Sequence, residues 1–132
     1  MGRAADAGAT CAEAMELGLR DVDTLFAFGR LFERLERFGD AVSAYARIGE
    51  VNPDHADAQK RLAANLIELG RYAEAIEPYQ QALLGAPNDA ELRYGLGVCY
   101  ANLGQTAAAK AQYEALKKLD AKKADELKFV IE

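Results

Sequence analysis

A chain of 132 residues, 51% of them apolar, is long enough for one domain with a core of its own. Its 16 basic and 21 acidic side chains leave a net charge of −5, which argues against a dedicated nucleic-acid binder, and no apolar run approaches the ~20 residues that cross a bilayer. Cys11 and Cys99 fit neither a metal-ligand spacing nor a CxxC pair, so a reducing, cytoplasmic setting is the expectation.

Taken in order, the chain opens on MGRAADAGATCAEAMELG, with one arginine and no sustained apolar core, which does not read as a signal peptide. From Val22 onward the sequence repeats itself at a step of 34 residues. Tyr45, Tyr79 and Tyr113 hold one column, Ala41, Ala75 and Ala109 another, and Phe32, Leu66 and Tyr100 a third. Gly29, Ala63 and Gly97 form a column of small residues suited to a close helix crossing.

Each unit reads as two helices. In the first, Leu25, Phe28, Gly29 and Phe32 follow the i, i+3, i+4, i+7 spacing of an amphipathic helix. After a turn expected near Phe38 to Asp40, Ala41, Tyr45 and Ile48 repeat the pattern, and Asn52-Pro53 ends it. In the second unit Pro78 falls inside the helix that carries Ala75, Tyr79 and Ala82; it is expected at the margin of the buried stripe, as a local bend, with a hinge as the alternative. The same register makes Ala4 to Leu17 the second helix of a preceding unit, and Ala124, Leu127 and Val130 the start of a following one.

These columns resemble the tetratricopeptide repeat, a helix–turn–helix unit of 34 residues. The second unit matches best, through Leu62, Ala63, Leu66, Gly70, Tyr72, Ala75, Tyr79, Ala82 and Pro87. Departures are Glu36 for the turn glycine, Thr106 for the turn aromatic and Ala121 for the closing proline. The resemblance implies an all-α fold, an α-solenoid of antiparallel helix pairs wound as a right-handed superhelix. One domain over residues 1–132 would comprise a half-repeat helix at 3–18, units at 22–55, 56–89 and 90–123, and a capping helix at 124–132. An excised piece of a longer array and a natural chain with half-repeat ends both fit this reading.

Catalytic chemistry finds no foothold in the sequence: no G-x-S-x-G, no P-loop, and a G-x-G at Gly95 and Gly97 that lies inside a helix. His55, beside Asp54 and Asp57, is expected as a solvated surface residue; Cys99 is expected to be packed and Cys11 exposed. A non-catalytic protein without cofactor or metal follows. The lysines at 117, 118, 122, 123 and 128 read as a solvated face, without nucleic acid or membrane as partner.

In the resembled family the first helix of each pair lines a concave groove that holds a peptide or a helix of another protein. In this register the groove candidates are Phe26, Arg30, Arg34, Lys60, Arg61, Tyr94 and Asn102. The basic cluster suits a partner segment with acidic and apolar residues. Against that, Asp57–Arg61 and Glu33–Arg37 stand at i, i+4, the spacing at which charges pair along their own helix. The lysine/asparagine/arginine clamp some members use for chaperone tails is not reproduced, because Phe26, Glu91 and Gly95 occupy its places. The function implied is an adaptor or scaffold; the alternatives are self-assembly through the open terminal helices and a small chaperone for secreted partners.

Overall fold

The computed structural model describes residues 2–132, with side chains described from residue 6. Met1, the first residue of the expected domain, lies outside the described residues. Eight helices follow one another among them: α1 (Gly2–Glu16), α2 (Val22–Arg34), α3 (Phe38–Val51), α4 (Ala56–Glu68), α5 (Tyr72–Gly85), α6 (Ala90–Asn102), α7 (Thr106–Leu119) and α8 (Ala121–Ile131). The pairs α2–α3, α4–α5 and α6–α7 form hairpins, and each hairpin packs on the next through α3–α4 and α5–α6. The result is an all-α solenoid.

Local chemistry fixes both ends of each hairpin's first helix. Asp21, His55 and Asp89 cap α2, α4 and α6: Asp21 accepts from the Thr24 amide at 3.1 Å, His55 Nδ1 from Ala58 at 3.1 Å, and Asp89 from Glu91 at 3.0 Å. His55 is therefore a half-buried cap stacked on Phe26, and the expected solvated histidine is corrected. At the other end, Glu36, Gly70 and Gly104 adopt left-handed φ of 57°, 71° and 74°. The amides of Arg37, Arg71 and Gln105 reach back to the carbonyls of Phe32, Leu66 and Tyr100, closing the same Schellman turn three times. That turn lies at residues 35–37, so Phe38 to Asp40 begin α3 where the sequence suggested a turn.

The tyrosine column fills the space between helices. Tyr45 is fully buried over Gly29, whereas Tyr79, with Ala63 in the column of Gly29, lies against Gly95 of the next hairpin. Gly95 is thus occupied from within the chain. Pro78 is buried on α5 beside Tyr79, not marginal, and Ala44, its counterpart on α3, is buried too. A pyrrolidine ring there adds apolar packing where the helix loses a donor.

Both ends are docked. Cys11 and Met15 on α1 join the core of Leu25, Phe32 and Tyr45, so Cys11 is buried, contrary to expectation. The Arg47 guanidinium donates to the carbonyl of Met15 at the end of α1. At the far end Ala124 and Leu127 are buried and Val130 is exposed. α8 starts at Ala121, three residues ahead of the register; with no proline after α7, Asp120 both ends one helix and caps the next by accepting from Lys123 at 3.2 Å.

Candidate functional site

The first helices of the three hairpins share a groove of about 500 Å³ with α4 at its centre. Asp57, Lys60, Arg61, Ala64 and Glu68 recur at three- and four-residue steps, which brings them to one face of α4; Glu33 of α2, Phe38 of α3 and Glu91 of α6 complete the walls with Asn65. Lys60 lies 2.6 Å from Glu91 and 3.7 Å from Asp89. Burial works to lower the pKa of Lys60, but the hydrogen bond and charge of Glu91, with Asp89 and Asp57, outweigh it and the net shift is upward. Arg61 donates to Glu33 at 3.1 Å, and buried Asn65 donates to the other oxygen of Glu33 at 2.8 Å and to the Arg61 carbonyl at 2.7 Å.

Beneath this network sits Phe26. Its ring meets Tyr45 edge-on at 5.6 Å, stacks on His55 at 5.7 Å and carries the Arg61 guanidinium at 5.3 Å. The Tyr45 hydroxyl and Arg61 Nε are buried without a hydrogen-bond partner. Burial, then the neighbouring Glu33, pushes the Tyr45 phenol well above its ordinary range.

The seven candidates therefore separate. Lys60 and Arg61 line the groove but are already engaged across helices, Arg61 with Glu33 and not with the Asp57 that the spacing suggested; Arg37 likewise pairs with Asp40 at 2.7 Å instead of Glu33. Phe26 is a half-buried brace under the groove. Arg30 and Arg34 are exposed on α2 and form no ion pair among the described residues. Tyr94 is half-buried at the C-terminal end, with Lys123 5.5 Å from its ring, and Asn102 donates to the Val98 carbonyl at 2.9 Å on an exposed turn of α6. Asn65 escaped sequence reasoning, because a buried asparagine in a column of Leu31 and Cys99 carries no periodic signal.

A second cavity of about 460 Å³ lies between α3, α4 and α5, floored by Leu62, Leu66 and Pro78. Burial pushes the Cys99 thiol up to about 11; it also raises Cys11, against the lowering effect of Arg37. Both free cysteines are buried, away from the exposed settings in which thiols are reactive. Among the described residues no helix is long and apolar enough to cross a membrane.

Residues 26–90 match one tetratricopeptide repeat family model and residues 66–128 match another, which together span all three hairpins. The chain belongs to the tetratricopeptide repeat family. It is 33% identical over 84 residues to the peroxisomal targeting signal receptor of Kluyveromyces lactis, covering 64% of this chain and 15% of that protein. It is 31% identical over 83 residues to a BBSome complex member of Xenopus tropicalis, covering 62% and 16% respectively. The chain thus spans a small fraction of the length of these relatives. Among solved structures, MamA of Desulfovibrio magneticus superposes with a TM-score of 0.81 at 23% identity over 98% of this chain and 75% of that one. YrrB, described as a tetratricopeptide repeat protein with an unusual peptide-binding site, gives 0.76 at 23% identity over 91% and 62%. As a tetratricopeptide repeat protein, this chain is a protein-interaction module, and the fold is generally non-catalytic.

Proposed function

We propose that this module is a non-catalytic adaptor or scaffold that takes a segment of another protein into the groove shared by α2, α4 and α6. The observation that carries the reading is the groove itself. Its walls are helical side chains whose backbone is already hydrogen-bonded, so it offers side-chain recognition on a stiff frame. Exposed Arg30 and Arg34 extend that surface along α2 and suit acidic residues of the partner, with apolar residues beside them. The unusual peptide-binding site of YrrB supports this use of a similar fold. A cytoplasmic setting, with both cysteines free, and no nucleic acid or membrane as partner, belongs to the same proposal.

Self-assembly is the second reading, favoured by exposed apolar side chains at the two ends: Leu17 is 89% exposed and Phe129 82%. The groove's charged lining counts against a small chaperone for apolar segments. To test the groove, the immobilised chain is compared in native lysate with Ala64→Trp, which fills the groove floor, and with Arg30→Glu/Arg34→Glu. A partner held by the parent and lost by Ala64→Trp supports the proposal. Partners retained equally by all three proteins overturn it, and growth of the free chain with concentration in sedimentation would favour self-assembly.

A further inference from the structure

Resting on the groove reading above, we infer that the centre of the groove selects a partner segment bearing two basic side chains about five residues apart. The walls hold four carboxylates, Glu33, Asp57, Glu68 and Glu91, against two cations, Lys60 and Arg61. Both cations are consumed within the chain, by Glu91 at 2.6 Å and Glu33 at 3.1 Å. Asp57 and Glu68 form no ion pair among the described residues, although Asp57 helps hold the charge of Lys60. The Lys60 and Arg61 half of the basic patch that the sequence suggested is therefore spent, and the unfilled charge along α4 is negative.

Geometry sets the spacing. Asp57 and Glu68 lie at the two ends of α4, eleven positions apart, or about 16 Å at the helical rise. An extended segment covers that distance in about five residues. Exposed Ala64 between them leaves room for a small apolar side chain. The arginines on α2 remain free for acidic residues elsewhere in the same partner, so the groove reads both signs at separate places.

The test is selection from a random dodecapeptide library on the parent chain, on Ala64→Trp, and on Asp57→Asn/Glu68→Gln. The proposal predicts enrichment of peptides with lysine or arginine four to six positions apart. Ala64→Trp should abolish their binding, and Asp57→Asn/Glu68→Gln should weaken it about tenfold, since each partly exposed ion pair contributes a few-fold. Enriched peptides that Ala64→Trp blocks but that lack basic pairs, or that ignore Asp57→Asn/Glu68→Gln, overturn this inference and leave the groove reading standing. If no peptide is enriched, or none is sensitive to Ala64→Trp, the groove reading falls and this inference with it.

Discussion

Gly29→Ala places a methyl group against the wedge that separates α2 from α3. A Cβ built there lies 2.5 Å from Tyr45 Cζ, 2.6 Å from Cε1 and 2.9 Å from Cε2. Comfortable carbon contacts lie near 3.5–4.0 Å, so the ring must withdraw by about 1 Å. It has nowhere to go: Tyr45 is fully buried, with Phe26 edge-on at 5.6 Å. Overpacking of this kind costs ~1–3 kcal/mol, while alanine's better helix propensity returns up to ~1 kcal/mol. The expected net loss is ~1–2 kcal/mol, read as a lower urea midpoint by circular dichroism. Gly39→Ala is the control, because an added Cβ there meets nothing within 4 Å, and it should stabilise by ~0.5–1 kcal/mol. In a Tyr45→Leu background the cost of Gly29→Ala should largely vanish. If Gly29→Ala stabilises as Gly39→Ala does, or costs as much without the tyrosine as with it, the wedge account is refuted.

Three further outcomes are expected. Glu36→Gly should stabilise by ~0.5–1 kcal/mol in the same urea assay, because glycine adopts the φ of 57° without the penalty glutamate bears, less its own greater unfolded entropy. Phe26→Ala should lower the stability of the isolated chain by ~2–3 kcal/mol, since the ring braces Tyr45, His55 and Arg61; an unchanged melting curve with altered partner binding would make it a contact residue after all. Stability should fall as pH rises from about 9 toward 11: the unfolded chain releases the Cys99 proton near the ordinary value of 9.0, while the folded chain keeps it to about 11, so deprotonation favours unfolding across that window. Tyr45 and Tyr79, also raised by burial, act in the same direction from their ordinary value of 10.0. Urea midpoints at pH 8 and 10.5 measure the drop, which Cys99→Ala should reduce; equal midpoints would contradict it.

The hairpins were legible because their determinants recur every 34 residues: Tyr45, Tyr79 and Tyr113 in one column, Ala41, Ala75 and Ala109 in another. Two errors came from reading residues by type and ignoring their column. Cys11 stands 34 before Tyr45, so it takes the wedge position of the half-repeat and is buried; His55 stands between Asp21 and Asp89 in the column that caps helices. Pro78 is a different case: its column partners Ala44 and Gln112 show no sign of burial by type, and only the structure shows Ala44 and Pro78 buried alike. The lack of a closing proline at Ala121 was legible, but not that Asp120 would restart the chain as α8 at once. The site was harder. Periodicity names the helix face but not the ion-pair partner, and Arg61 reaches Glu33 on α2 where Asp57 is nearer in sequence. That pairing turns an expected basic groove into one with a carboxylate excess at its centre.

The groove's role is tested most directly by amide chemical-shift mapping of the nitrogen-15-labelled chain, titrated with a peptide segment taken from a captured partner. The account predicts perturbations concentrated at Glu33, Asp57, Ala64, Glu68 and Glu91 on α2, α4 and α6. Perturbations confined to α3 and α5, or to the ends near Leu17 and Phe129, would contradict it and place recognition outside the groove.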